Sequence, residues 1–291
     1  MYCILRRTLI NENSFIDGFN DRSIGDYFGG LKGMQMMLIF SVAMNFFAYW
    51  NSDKMVLAQY RAKQVDKRSA PKLYAMVERL ANKANLPMPK VYIIDSPVPN
   101  AFATGRNPEH AAVAVNTALA DMLTEDELEG VLAHELSHVK NRDILVSTIA
   151  ATMAGAISTI AQWGMFLGGG RDENGESRNP IATILVMILA PLAAMLIQMG
   201  ISRSREYMAD KSGGEMCGNP DALADALLKI EAYAKRRVMP GATEATAHMF
   251  IINPFSGIDA KKLFSTHPTT AERVKLLREQ AEQMRKNKRG K

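Results

Sequence analysis

Apolar positions follow two regimes along this chain. In the stretches 33–52, 144–170 and 179–202 they run on without a single charged residue. Each run meets the requirement of about 20 residues for a membrane-spanning helix. Tyr49 and Trp50 close the first run, where amphipathic rings suit a membrane interface. Three spans are therefore predicted, with buried core helices as the alternative. Elsewhere the apolar residues recur at short periods. "PKLYAMVERLANKAN" (71–85) has helical spacing, with Pro71 in the favourable first turn. "KVYIID" (90–95) and "AAVAV" (111–115) read as short strands. Gly105 and Pro108 punctuate the segment between them, which predicts a hairpin-like connection. A helix follows near Thr117. Thr124, with Glu127 three residues on, forms a capping box that opens a helix running through His134 and His138. Asn219 and Pro220 open another, and "HPTTAERVKLLREQAEQMRKNKRGK" is a last helix ending in a basic tail.

The flanking charges orient the three runs. Lys54, Arg61, Lys63, Lys67, Arg68 and Lys72 follow the first; Lys140 and Arg142 precede the second; Arg203, Arg205 and Lys211 follow the third. The loop between the second and third carries only Arg171 and Arg178, set against Asp172, Glu173 and Glu176. By the positive-inside rule, 53–143 and 203–291 share the cytoplasmic side and the loop around 170–180 lies outside. Three spans leave the N-terminus outside. Residues 1–32 are polar, and the run after Arg6 and Arg7 (Asn11, Glu12, Asn13, Asp17, Asp21) is not that of a secretory signal.

With 291 residues the chain is long enough for one or two domains with a real core. The net charge of +5 suits either nucleic acid or anionic lipid headgroups. No motif interleaves aromatic and basic residues, so nucleic acid is excluded as a partner and the lipid bilayer is retained. Cys3 and Cys217 match no zinc or redox spacing and read as free thiols in a reducing compartment.

The candidate chemistry lies in "HELSH". Residues four apart on a helix share a face, so His134 and His138 can point both imidazoles at one ion. Glu135 lies on the adjoining face, where it reaches a metal-bound water rather than the metal. A catalytic zinc usually takes a third protein ligand. His110, His248, His267 and many carboxylates are available. The hairpin formed by the second and third spans narrows the choice. His138 lies six residues before the second span and Glu206 four residues after the third, so both lie within roughly 10 Å of one membrane surface. Glu206 is the expected third ligand. Asp210, one turn further on, is the expected partner of a ligating histidine.

With these residues in place, the chain resembles the HtpX-type membrane zinc metalloproteases, a group related to the CaaX prenyl endopeptidases. The resemblance covers roughly residues 31–280. It is carried by "NAFATG" (100–105), "HELSHVKNRD" (134–143), "SRSREYMAD" (202–210) and "STHPTTAER" (265–273). It implies an α+β membrane protein: a mainly helical, zincin-like catalytic domain with a small β-sheet, plus about three transmembrane helices. It implies one Zn2+ per chain and endoproteolysis in the bacterial inner membrane. The substrates would be misfolded or damaged membrane proteins, or unfolded polypeptides, cut on the cytoplasmic side. It further implies that Asn100, Ala101, Phe102 and Ala103 line the cleft and pair with extended substrate. His267 would stabilise the oxyanion or orient substrate, and Arg273 would support that segment through a carboxylate. His248 is expected to be packed and His110 to be a turn residue. Family members usually open with two hydrophobic segments, of which only the second is recognisable here.

The expected organisation is a polar segment 1–32, a span 33–52, a first catalytic part 53–143, a membrane hairpin 144–202 and a second catalytic part 203–291. Two other functions compete. A protease cutting inside the bilayer is disfavoured by Lys140, Asn141, Arg142 and Asp143 directly beside the site. A membrane scaffold or chaperone with structural zinc would have no use for a base at Glu135.

Overall fold

The computed structural model describes residues 39–40, 43, 46–47, 50–150, 153–154, 180–236 and 268–290. The elements, in chain order, are α1 (Ser52–Gln59), β1 (Lys63–Val65), α2 (Pro71–Ala84), β2 (Lys90–Ile94) and β3 (Ala101–Thr104). A 3-10 turn, Pro108–His110, leads to β4 (Ala112–Asn116), α3 (Thr117–Met122) and α4 (Glu125–Lys140). Three further helices follow: α5 (Pro180–Cys217), α6 (Pro220–Arg236) and α7 (Thr270–Arg289). The protein is thus mainly helical with one small sheet.

The sheet has the order β1-β2-β4-β3. Its strands differ from the expected hairpin. The two apolar runs at 90–95 and 111–115 do form strands, but β2 and β4 lie parallel, with Val91 opposite Val113. A parallel pair needs a crossover, and the intervening segment supplies it by contributing a strand of its own. That strand, β3, turns back antiparallel along β4, with Phe102 opposite Ala114, and ends the sheet as an edge. β4 is buried along its whole length and so reads as a continuous apolar run. β1 pairs antiparallel with β2 at the other edge. Its sequence, Lys-Gln-Val, carries no alternation, but a short polar strand suits an exposed edge.

Side chains alternate across the sheet as the pleat requires. Val91, Val113 and Val115 face the main core, which also holds Val77 and Leu80 of α2, Leu132 and Leu136 of α4, and Leu223, Leu227 and Ile230 of α6. Ile94, Phe102, Ala112 and Ala114 face the other way, onto Val56 and Leu57 of α1. The helix α4 therefore lies between sheet and helices, and the expected capping box starts it. Thr124 Oγ1 accepts from the Glu127 N–H at 3.3 Å, and Glu127 Oε2 accepts from the Thr124 N–H at 2.8 Å. Asn219 caps α6 by accepting from the Ala222 N–H at 3.3 Å.

Among the described residues, no helix is long and apolar enough to cross a membrane. The runs 33–52 and 144–170 lie largely outside the described residues. The third run has a helical backbone within α5.

Candidate metal centre

His134 and His138 lie one turn apart on α4. Their rings meet edge to face, with centroids 4.7 Å apart and planes at 89°. The two Nε2 atoms are 3.1 Å apart. From α5, Glu206 brings Oε2 to 3.7 Å from His134 Nε2 and Oε1 to 3.6 Å from His138 Nε2. One ligand atom from each of the three residues lies within 4.8 Å of the others, so the trio can hold a metal ion. Zinc–donor bonds of about 2.0–2.2 Å in a tetrahedron place donors about 3.3–3.6 Å apart. The separations found here bracket that value. The donor set, two imidazoles and a carboxylate, is also one that zinc accepts.

What lets α5 approach so closely is Gly213. A Cβ there would lie 2.9 Å from both the Cα and the N of His134. Gly213 is one turn beyond Asp210 and two beyond Glu206, so the point of closest backbone approach shares a face with both carboxylates.

Each histidine has an aspartate behind it. His134 Nδ1 lies 2.9 Å from Asp210 Oδ1. Arg273, from α7, clamps Asp210 with two bonds, Nε to Oδ2 and Nη2 to Oδ1, each 2.7 Å. Its Nη1 lies 3.4 Å from Glu206 Oε2. Arg273 is only 1% exposed, and a buried guanidinium is tolerated because these carboxylates surround it. Burial opposes the ionised form of Asp210, but Arg273 outweighs it and holds the carboxyl below its usual range. His138 Nδ1 lies 2.6 Å from Asp143 Oδ2. With no metal bound, burial disfavours a charge on His138. The Asp143 hydrogen bond and the carboxylates of Glu206 and Glu135 overcome it and push its pKa up to about 9.

Glu135 lies beside the trio. It is 7% exposed, and its Oε2 accepts from the Ala103 N–H at 2.9 Å. Burial raises its pKa, against the pull of His134 and His138. The contact ties the glutamate to the edge strand β3. Along that strand Asn100, Ala101 and Phe102 are buried. Asn100 O accepts from the Asn116 N–H at 2.9 Å, and the Phe102 ring packs on Tyr60 with centroids 5.7 Å apart.

The structure thus brings together five residues singled out from the sequence, His134, Glu135, His138, Glu206 and Asp210, and places Asn100–Ala103 alongside. His110 belongs to the 3-10 turn, where its Nδ1 lies 2.7 Å from Asn107 Oδ1, in keeping with a turn residue. His248 and His267 lie outside the described residues. Sequence reasoning missed Asp143 and Gly213. Asp143 ends the "HELSHVKNRD" motif, and a turn straight after α4 was the one signal that it returns to the site.

Two histidines and a glutamate converging beside a buried carboxylate, next to a strand edge, have the build of a metallopeptidase, and the comparisons agree. Residues 67–281 match the family model described as Peptidase family M48, and the chain belongs to that family. It is 58% identical to "Protease HtpX homolog" of Burkholderia thailandensis over 260 residues, which cover 89% of this chain and 91% of that relative. The homologue from Paraburkholderia phytofirmans is 57% identical with the same coverage. Among solved structures, that of S. mikatae Ste24p superposes with a TM-score of 0.52 at 20% identity. The match covers 88% of this chain and 60% of that one, and at this identity it shows a shared fold alone. The chain is an M48 metallopeptidase similar to the HtpX proteases.

Proposed function

We propose that the protein is a membrane-anchored zinc endopeptidase that hydrolyses misfolded or damaged membrane proteins, or unfolded polypeptides, at the cytoplasmic face. The observation that carries this reading is the buried Glu135 carboxylate beside the His134–His138–Glu206 trio and bonded to strand β3. A structural metal site has no use for such a group.

In this reading His134, His138 and Glu206 would hold one zinc ion, which would supply Lewis-acid polarisation of the scissile carbonyl and acidify water near neutral pH. Asp210, close behind the His134 ring, steadies that imidazole. Glu135 takes the proton of the attacking water and hands it to the leaving amine. The backbone of Asn100–Ala103 aligns an extended substrate along the sheet edge, a mode in which main-chain bonds supply affinity for many sequences. His267 donates to the oxyanion or orients substrate. The catalytic unit is assembled from 53–143 and 203–291, with the hairpin 144–202 between its parts.

Membrane anchorage is supported by apolar side chains that face outward in all three uncharged stretches. Phe46, Phe47 and Trp50 are exposed in the first, Leu145, Val146 and Ile149 in the second, and Leu192, Leu196 and Ile197 in the third. Exposed large apolar side chains concentrated in these stretches suit a membrane or partner surface. The Lys and Arg distribution turns the site to the cytoplasm.

Casein cleavage by detergent-purified protein tests the activity. It should stop with a chelator and return with zinc; cleavage that survives complete metal removal would refute it. Single cysteines at Ser69 and Ser177, in a background lacking Cys3 and Cys217, test the sidedness. An impermeant thiol reagent should label position 177 and miss position 69 in intact cells, while both label after permeabilisation. The reverse pattern would turn the catalytic parts outward.

A further inference from the structure

We infer that Asp143 is the positioning residue of the second histidine, fixing the His138 ring so that Nε2 faces Glu206 and the His134 ring. The inference rests on His138 being a metal ligand, and it names a residue that the reading above does not need for its chemistry.

The geometry is specific. α4 ends at Lys140, and Asn141 closes it, its N–H donating to Ser137 O at 2.9 Å. Arg142 then takes a left-handed backbone conformation, φ 55°, rare for a residue with a side chain. Asp143, the first residue of the next helical segment, is folded back toward the turn of α4 that carries His138. There its Oδ2 lies 2.6 Å from His138 Nδ1. Asp143 is 7% exposed, so its carboxylate has little water to compete for it. Its backbone is anchored separately, with the Ser147 Oγ donating to Asp143 O at 2.7 Å.

An imidazole presents a lone pair at only one nitrogen, and the partner of the other nitrogen decides which. An acceptor at Nδ1 keeps the proton there and leaves Nε2 as the donor atom. Asp210 Oδ1 is also close to His134 Nδ1, at 2.9 Å, but without hydrogen-bond geometry. Each of these aspartates also has an arginine: Arg273 clamps Asp210, and Arg205 Nε lies 4.0 Å from Asp143 Oδ1. Arg205 directly precedes Glu206. The second pair is therefore a looser counterpart of the first, built from the residue that follows the Arg142 turn and from α5.

The experiment compares zinc affinity, by competition with a chromophoric chelator, in wild type, Asp143→Ala, Asp143→Asn and His138→Ala, alongside unfolding temperatures. Asp143→Ala should bind zinc about 10–100-fold more weakly. Asp143→Asn, whose amide oxygen still accepts from Nδ1, should lose less. In zinc-loaded protein with 15N-labelled histidine, the downfield Nδ1–H signal of His138 should vanish in Asp143→Ala and move upfield in Asp143→Asn. A merely structural turn residue would lower the unfolding temperature and leave the affinity and this signal of the folded protein unchanged, which overturns the inference. If Asp143→Ala does not fold, Asp143→Asn decides: wild-type affinity with an unmoved signal overturns it. His138→Ala separates the two claims. If it too keeps full zinc affinity, the ligand assignment fails; if it loses zinc while both Asp143 variants keep it, only the role of Asp143 fails.

Discussion

Replacing Gly213 by alanine should damage the metal centre out of proportion to its cost in stability. The added Cβ would lie 2.9 Å from two backbone atoms of His134, and backbone cannot swing aside as a side chain can. Carbon atoms pack comfortably at about 3.5–4.0 Å. The helices α4 and α5 must therefore part by roughly 0.6–1 Å at this point. Overpacking of this kind costs about 1–3 kcal/mol. Alanine recovers about 1 kcal/mol through its better helix propensity, so the net loss of stability is about 0–2 kcal/mol. The ligands have less tolerance, because metal–donor distances are held to about 0.2 Å. Asp210 and Glu206 ride on the displaced face of α5, while His134 and His138 stay on α4. Zinc affinity should fall by more than about tenfold, since a shift of this size exceeds that tolerance. Gly200→Ala is the control: it lies on the same helix, and a Cβ there meets nothing within 4 Å. Chelator competition and thermal unfolding of both variants provide the assay. Equal zinc affinity in Gly213→Ala and Gly200→Ala would refute the reasoning that glycine is needed for the helices to meet at the site.

Arg273→Ala should destabilise the fold by about 3–5 kcal/mol, because it leaves the Asp210 and Glu206 carboxylates buried without their counter-charge; denaturant titration in detergent measures this, and a change within experimental error would contradict it. The pKa of His138, raised to about 9 with no metal bound, sets a pH dependence for zinc binding. The proton must leave before the metal binds, so affinity should rise about tenfold per pH unit from this group and level off above its pKa. Titration between about pH 6.5 and about pH 8.5 checks the sign, and a flat profile would show that His138 does not exchange a proton for the metal.

Much of the site was legible because its logic is local. The spacing of His134 and His138 needs only a helix, and Thr124 and Glu127 announce where that helix begins. Glu206 needed one further step, the expectation that two uncharged stretches pair antiparallel and return the chain to the same level. Asp143 was not legible, because its reach to His138 depends on a left-handed Arg142, for which no local pattern calls. Gly213 looks in sequence like a weak point in a helix; only the partner backbone shows why a side chain is excluded there. In the sheet, β2 and β4 were visible as apolar runs, but their parallel pairing was not. That arrangement depends on β3, a strand of four residues whose alternation is too short to read. β1 carries no apolar alternation at all.

The central claim is that the buried carboxylate beside the metal trio performs the chemistry. Glu135→Gln tests it most directly, since the amide keeps the shape and removes the base. Zinc content and casein cleavage are measured on the same purified preparation. The variant should hold one zinc per chain, as the wild type should, with cleavage slower by at least about 10²-fold. Full zinc content with undiminished cleavage would contradict it.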